Sequence, residues 1–480
     1  MVNCLFLYLY KTNNRVTFTL QRILTWRECV PDSTSSLPSS YEHLLSLIPE
    51  TIPERFRQRK NDFIRDRHLP FRRIVTFILS AACSDKNSGL SIKIGEFIKH
   101  ARRSGLLPDA SYFCASAFSR ARAKVPWQAF EDIFYNAVNL ANSLWDEKSW
   151  HQWHDMHVYA IDGSKYTLPV SDEIRKEFDP TSGFGIPGKG HYPQCRVSTV
   201  YDVFKRLPIG RCIESCCSSE REQALLLLPH IPDNGVILFD RGYPGYEFIQ
   251  TLCSLYKGHF VIRCPAQSTF PAVMSFIRSQ KKQALIQIQP SYDYLHQCTL
   301  EQKMLARPIL LRAIRLKSPD GTLSVLLTSM TDVKQFPCKD IIQLYFQRYR
   351  IEEYYRDDKI TIEIEKFHTK TTNGIRQELF ASAIMSVIAR LLINLMGHSA
   401  DSNRIEPQFK NAVLSLAQEA FILTPNDPDR AILIFKELLY QIERIKYYRP
   451  IHKRQSQPRV CKKPPNKWCE NRAKLLMQEK

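Results

Sequence analysis

Tyr345 to Lys359 reads YFQRYRIEEYYRDDK and packs carboxylates, guanidinium groups, phenols and an ammonium into about four helical turns. No Gly or Pro interrupts it, and its composition favours a helix. At 3.6 residues per turn, Tyr345, Arg348, Glu352 and Lys359 fall inside a stripe of about 60°. One carboxylate is thereby aligned with two cations and a phenol. The carboxylate can ligate a hard divalent cation, and its neighbours can hold phosphates. A solvated face laced by i,i+4 ion pairs has the same pattern. Two further stretches tip the balance.

Val158–Ile161 (VYAI) is a short β-prone run that reads as ending at Asp162, with Gly163 and Ser164 behind it. Val236–Phe239 (VILF) is a fully apolar strand that ends in Asp240-Arg241-Gly242-Tyr243. An Asp before Gly is often only a turn residue. Both acids, however, are expected just past the carboxyl ends of apolar strands, the edge of an α/β sheet where sites form. Asp162, Asp240 and Glu352 together can surround a pair of Mg²⁺ ions, which prefer oxygen ligands and keep exchangeable waters. Two such ions about 3.5–4 Å apart clamp the attacking and leaving oxygens of an in-line displacement at phosphorus. Arg348 and Lys359 then hold the scissile or adjacent phosphates, and Tyr345 hydrogen-bonds another. Arg241 pairs with a carboxylate or touches DNA.

The elements that must position these groups read as follows. Ser33–Ser40 (STSSLPSS) has the composition of a linker. Glu54–Arg73 carries 8 Lys/Arg against 3 Asp/Glu. Helical patterns at Phe71–Cys83, Ser91–Arg103 and Ser111–Val125 come next, and Arg120, Arg122 and Lys124 make the last one basic. That order resembles a helix-turn-helix reader of DNA, or a small bundle with a solvated basic side. Pro126 is expected at the first position of an amphipathic helix. From His157 the periodicity predicts a strand, a hairpin, a helix with a Ser219/Glu222 capping box, a strand, a helix and a strand. A mixed sheet flanked by helices results. Thr181–Gly190 reads as a Gly/Pro/Lys loop, and Pro265–Asp332 as β-rich and basic. Glu378–Met396 suits a helix packed behind the sheet, and Gln408–Phe421 and Asp429–Tyr447 read as further helices.

The 480 residues suffice for two to four domains, and 44% hydrophobic with 24% charged residues is ordinary for a globular chain. A net charge of +19 is not. It fits a polyanionic partner, nucleic acid or a membrane surface. No stretch reaches the length of a membrane span, and no basic amphipathic anchor is evident, so nucleic acid is favoured. The tail from Arg444 to Lys480 holds 12 Lys/Arg and 2 Asp/Glu and would bind phosphate non-specifically. The apolar start, residues 2–10, lacks the flanking pattern of a signal peptide. Fourteen Cys without a CxxC pair suit a reducing cytosol, and adjacent Cys216 and Cys217 read as packed thiols.

The spacing Tyr345-x2-Arg348-x3-Glu352-x6-Lys359, with the two acids after VYAI and VILF, resembles the signature of the DDE transposases of bacterial cut-and-paste insertion sequences. The likeness covers roughly residues 60–460. It implies an α/β fold with a ribonuclease H-like mixed-sheet core and a β-rich insertion before the last acid. It also implies two Mg²⁺ or Mn²⁺ ions on Asp162, Asp240 and Glu352, with Tyr345, Arg348 and Lys359 on phosphate. Terminal inverted-repeat DNA is the implied substrate, a homodimer on paired ends the implied assembly, and the bacterial cytoplasm the implied location. The expected divisions are a tail (1–53), a helical DNA-binding domain (54–150), the core's first part (151–264), an insertion (265–335), the core's second part (336–400) and a helical basic region (401–480). Some relatives cleave through a DNA hairpin and hold a flipped base on a Trp in the insertion. Here no Trp lies between Trp153 and Trp468, which leaves Phe270, Phe276, Tyr292 or Tyr294 for stacking. A nuclease without transposition and an inactive DNA-binding derivative are the competing readings.

Overall fold

One mixed sheet of eight strands, ordered β3-β2-β1-β4-β5-β8-β7-β6, positions the acids. The computed structural model describes residues 37–63, 69–84, 87–180, 192–267, 269–297, 299, 303, 306–317, 321–396, 405–425 and 427–448. The strands are β1 (His157–Thr167), β2 (Gln194–Asp202), β3 (Leu207–Ser215), β4 (Gly235–Phe239), β5 (His259–Pro265), β6 (Gln283–Ile288), β7 (Ile309–Lys317) and β8 (Leu323–Thr328). β4 lies parallel to both β1 and β5, while every other neighbouring pair is antiparallel. All five residues of β4 are buried, which is why the strand is uniformly apolar rather than alternating. β6, β7 and β8 arise from the stretch expected as an insertion, yet they extend this same sheet. Two short helices there, Pro271–Arg278 and Tyr292–Gln297, were not foreseen by the β-rich reading.

Helices α1 (Leu37–Ser46), α2 (Phe71–Cys83), α3 (Leu90–Ser104), α4 (Ala115–Arg122) and α5 (Trp127–Leu144) precede the sheet. Leu37–Ser40, expected in a linker, forms the first turn of α1. Residues 105–114 separate α3 from α4, too long for the tight turn of a helix-turn-helix. Leu106 and Leu107 in that connection are buried, so it packs as part of the core. Pro126 lies one position earlier than expected, as the N-cap of α5.

The N-terminal helices gather on the long helix Thr372–Leu395 and on the later helices Phe409–Gln418 and Pro428–Arg444. Tyr41 donates to the Ile422 carbonyl at 2.7 Å, and Ser80 to the Ala417 carbonyl at 2.7 Å. Arg122 belongs to this packing. Its guanidinium donates to Gln377, Glu378 and the Gly374 carbonyl in a buried setting. Paired with Glu378, it is buried in this packing and not on the surface that a DNA contact was expected to use. Lys124 pairs with Asp62 at 2.9 Å and keeps half its side chain in solvent, while Arg120 is exposed. Among the described residues, Thr372–Leu395 alone is long and apolar enough to cross a membrane, and most of it is buried in the core. The Thr181–Gly190 loop and the tail beyond Tyr448 lie outside the described residues.

Candidate functional site

Asp162 does not end a strand. β1 runs on to Thr167 because β2 continues to pair with it, Asp162 opposite Thr199 and Gly163 opposite Ser198. What ends near Asp162 is its other neighbour. The parallel β1–β4 ladder stops at Ala160 opposite Leu238, and Asp240 follows the last residue of β4. One edge of β1 is thus uncovered at the point where Asp240 emerges, and the two acids meet there.

The third acid arrives on a helix that is not continuous. Cys338–Phe346 and Tyr349–Arg356 are separate helices, joined at Gln347 and Arg348 by bonds of the i→i+3 kind. A π turn, Asp357–Thr361, then carries Lys359. Arg348 sits at the joint, with Nη2 donating to Glu352 Oε1 at 2.6 Å and Nη1 3.9 Å from Asp162 Oδ2. A single guanidinium therefore brings Asp162 and Glu352 to one place. The Arg348 Nε is buried without a partner among the described residues, and the effect of burial on its charge is outweighed by Tyr345, Asp162 and Glu352. Glu352 itself is 42% exposed in its side chain and open to an incoming group.

The remaining members of the expected stripe turn elsewhere. Tyr345 is buried beside Arg348 and near Asp240 and Arg263, and burial pushes its phenol up to about 12. Lys359, displaced by the π turn, donates from Nζ to Ser164 Oγ at 2.7 Å and the Lys165 carbonyl at 2.6 Å. Its ammonium lies 4.6 Å from the centre of the Tyr166 ring. It is engaged along β1, and burial pulls its pKa down. Arg241 is exposed, and Asp240 Oδ1 accepts the Gly242 N–H at 2.7 Å.

Burial pushes Asp162 up to about 7, an effect that Arg348 opposes and Asp240 and Glu220 reinforce. Glu220 was missed in the sequence, where the stretch Ser219–Leu228 was read only for its cap. Ser219 makes no side-chain cap bond, so the expected capping box is absent. The helix it starts, α6 in the numbering that follows (Glu220–Leu227), instead places Glu220 over Gly163. A Cβ at Gly163 would lie 3.1 Å from Glu220 Cγ. The next residue, Arg221, donates to the Gly242 and Pro244 carbonyls and holds the loop behind Asp240. Tyr355 was also missed. Its hydroxyl lies 2.7 Å from the Asp162 carbonyl oxygen and 3.1 Å from that of Val197. Adjacent acidic and basic residues at a helix start were the available signal.

A carboxylate-only donor set suits a hard divalent ion such as Mg²⁺ or Mn²⁺ better than a thiophilic one. Among the described residues, Asp179, Cys216 and Cys217 are the group of three His, Cys, Asp or Glu side chains whose ligand atoms all lie within 4.8 Å of one another, a spacing that the three acids do not reach. Cys216 is half-buried and Cys217 exposed, so the two are not simply packed thiols. Of the rings considered for base stacking, Phe276 is buried in the core, Tyr294 packs on Tyr246, and Tyr292 is 79% exposed.

Residues 153–388 match the family described as Transposase DDE domain, a span that takes in all three acids. The chain is a DDE-type transposase enzyme, of a family that generally uses divalent metal ions. It is 23% identical over 429 residues to the transposase InsG for insertion sequence element IS4 of Escherichia coli strain K12, covering 88% of this chain and 92% of that one. It is also 26% identical over 100 residues to the putative transposase InsZ of the same organism, 21% of this chain and 33% of that one. Within the DDE transposases, this chain is of the IS4 type. A piggyBac transposase synaptic complex with hairpin DNA aligns with 87% of this chain and 86% of that one, at a TM-score of 0.41 and 10% identity, too loose to build on.

Proposed function

We propose that this transposase binds the terminal inverted repeats of its insertion sequence, cleaves the DNA strand at the ends and joins the 3′-OH to target DNA. The observation that carries the reading is the guanidinium of Arg348 between Asp162 and Glu352 at the β1 edge, with Asp240 emerging beside them. Clustered carboxylates need a counter-charge, which the arginine supplies here and a divalent cation could supply in its place. The strand run β3-β2-β1-β4-β5 fits a ribonuclease H-like core, antiparallel on one side of β1 and parallel on the other.

Asp162, Asp240 and Glu352 would hold two Mg²⁺ or Mn²⁺ ions. Bound there, the ions supply a nucleophilic oxygen at neutral pH and neutralise charge on the phosphate. Arg348 would turn from the carboxylates to a phosphate oxygen, and its buried, orphaned Nε adds a donor. Tyr345 would support Arg348, and Lys359 would hold a phosphate along β1. Exposed Arg241 and Arg120, with Lys124, would meet the duplex. The net charge of +19 favours DNA at low salt. Assembly as a homodimer on paired ends, in the bacterial cytoplasm, completes the reading.

The test uses purified full-length protein, Mn²⁺ or Mg²⁺, and DNA carrying the element's own flanking repeats. Nicking at the repeat end, and joining of a precut end into a plasmid, are expected. Cleavage without joining would leave a nuclease, and binding alone an inactive derivative.

The Asp162 carboxyl gives this site a pH dependence. Held near 7, it is mostly protonated at about pH 6 and must lose its proton to ligate a cation. Mn²⁺ binding is therefore expected to release a proton and to strengthen by up to about tenfold per pH unit below 7, levelling off near pH 8. Without metal the sign for stability is reversed. The folded pKa exceeds the unfolded one, so the stabilising contribution is present at acid pH and disappears as pH rises through about 7. Calorimetric Mn²⁺ titrations across pH in two buffers of different ionisation heat check the binding, metal-free unfolding across pH checks the stability, and flat profiles would contradict the assignment.

A further inference from the structure

We infer that Glu220 is a fourth carboxylate of the metal centre, an inference that rests on the three-acid reading above and extends it. One glycine makes room for it, and a second brings it near Asp240. A Cβ at Gly163, beside Asp162, would lie 3.1 Å from Glu220 Cγ and 3.2 Å from its Cδ. A Cβ at Gly242, two residues after Asp240, would lie 3.1 Å from Asp240 Oδ1 and 3.9 Å from Glu220 Oε2. Asp240 from the end of β4 and Glu220 from the first turn of α6 thus approach one small volume, and both are near enough to the Asp162 carboxyl on β1 for their charges to act on it. A side chain at either glycine would crowd that volume.

A second observation points to a ligand between them. The Tyr243 hydroxyl is fully buried and has no hydrogen-bond partner among the described residues. It lies among Asp162, Glu220, Tyr355 and Asp240. A buried phenol facing carboxylates without bonding any of them is costly unless a further group, such as a metal-bound water, sits between. Each outer carboxylate rests against an arginine. Glu352 is held by Arg348 and Glu220 by Arg196 Nη1 at 3.3 Å. Arg196 also reaches the Cys216 carbonyl at 3.4 Å, so it has a place to go when Glu220 turns inward.

The experiment is a Mn²⁺ titration of the full chain at about pH 8, followed by electron paramagnetic resonance of the free ion. Wild type, Glu220→Gln, Arg196→Gln, Asp240→Asn and Glu352→Gln are compared, with circular dichroism as the folding control. Glu220→Gln is expected to lose one bound ion or to weaken Mn²⁺ at least about tenfold. Arg196→Gln is expected to bind as tightly as wild type or more so, because it frees the carboxylate. Should the Gln variant not fold, Glu220→Asp keeps the charge, retracts it by one methylene and is expected to show the same loss. Glu220→Gln binding Mn²⁺ like wild type while Asp240→Asn does not would overturn the role of Glu220 alone. Arg196→Gln losing as much as Glu220→Gln would also overturn it, by reducing Glu220 to half of a structural ion pair. Unchanged binding in both Asp240→Asn and Glu352→Gln would overturn the three-acid site and Glu220 with it.

Discussion

Replacing Glu352 by Gln is expected to lower metal-dependent cleavage at the element end by about 10³-fold or more, with DNA binding retained. Gln keeps the side chain's shape, and its oxygen can still accept from Arg348, so the 2.6 Å bond to Nη2 need not break. What would be lost is the negative charge that a divalent ion held by this residue would require. Metal stabilisation of transition-state charge is worth several kcal/mol, and each 1.36 kcal/mol is a factor of ten. The fold should tolerate the change, since the Glu352 side chain is 42% exposed and lies at the end of a guanidinium that Asp162 also holds. Asp240→Asn is expected to behave alike, and neighbouring exposed Glu353 supplies the control, with Glu353→Gln within about twofold of wild type. Single-turnover cleavage and a gel-shift titration on the same end DNA measure the two quantities separately. A loss below about tenfold in Glu352→Gln would remove this residue from the metal centre.

The strands that carry Asp162 and Asp240 were legible to different extents, for physical reasons. VILF reads unambiguously because a short parallel strand covered on both faces must be apolar at every position. β1 was cut short at Asp162 because Gly163-Ser164 looks like a turn from local chemistry. Its continuation depends on β2, which nothing local announces. The Tyr345–Lys359 spacing correctly put Arg348 beside Glu352, since i,i+4 neighbours meet in any helix. It could not show the joint at Gln347 or the π turn, because no Gly or Pro marks either. Both follow from distant partners, Asp162 for Arg348 and Arg211 for Asp358. Arg122 shows the same limit in reverse. A basic helix end reads as a DNA contact, but Glu378 lies more than two hundred residues away in the chain and claims it. Glu220 was hidden because its helix start satisfied a capping rule that the backbone does not use.

Asp358→Asn is expected to destabilise the protein by about 3–5 kcal/mol, because it strands a buried charge. Asp358 and Arg211 are both fully buried in their side chains and pair at 2.9 Å. Asp358 Oδ2 also accepts from Tyr166 at 2.7 Å, and Arg211 donates to Tyr354 at 2.9 Å and to the Leu379 carbonyl. Asn preserves the volume and one acceptor but cannot balance the guanidinium, which has no route to water. The consequence reaches the site through geometry. Asp358 lies in the π turn next to Lys359, so its anchorage on β3 through Arg211 sets where the Lys359 ammonium meets Ser164 and Lys165. Denaturant unfolding of Asp358→Asn should show the lower midpoint, with no change in the Arg348–Glu352 region. An Arg211→Met, Asp358→Leu double variant separates the two roles. Replacing both charges by apolar groups of similar size removes the stranded charge but also the partners of the buried Tyr166 and Tyr354 hydroxyls, so stability should rise above that of Asp358→Asn without reaching wild type. Activity should not return, because the apolar pair fills the core without fixing the turn that aims Lys359. Full activity in a stable double variant would show that the π turn is held by packing alone, and that the buried pair has no part in placing the lysine.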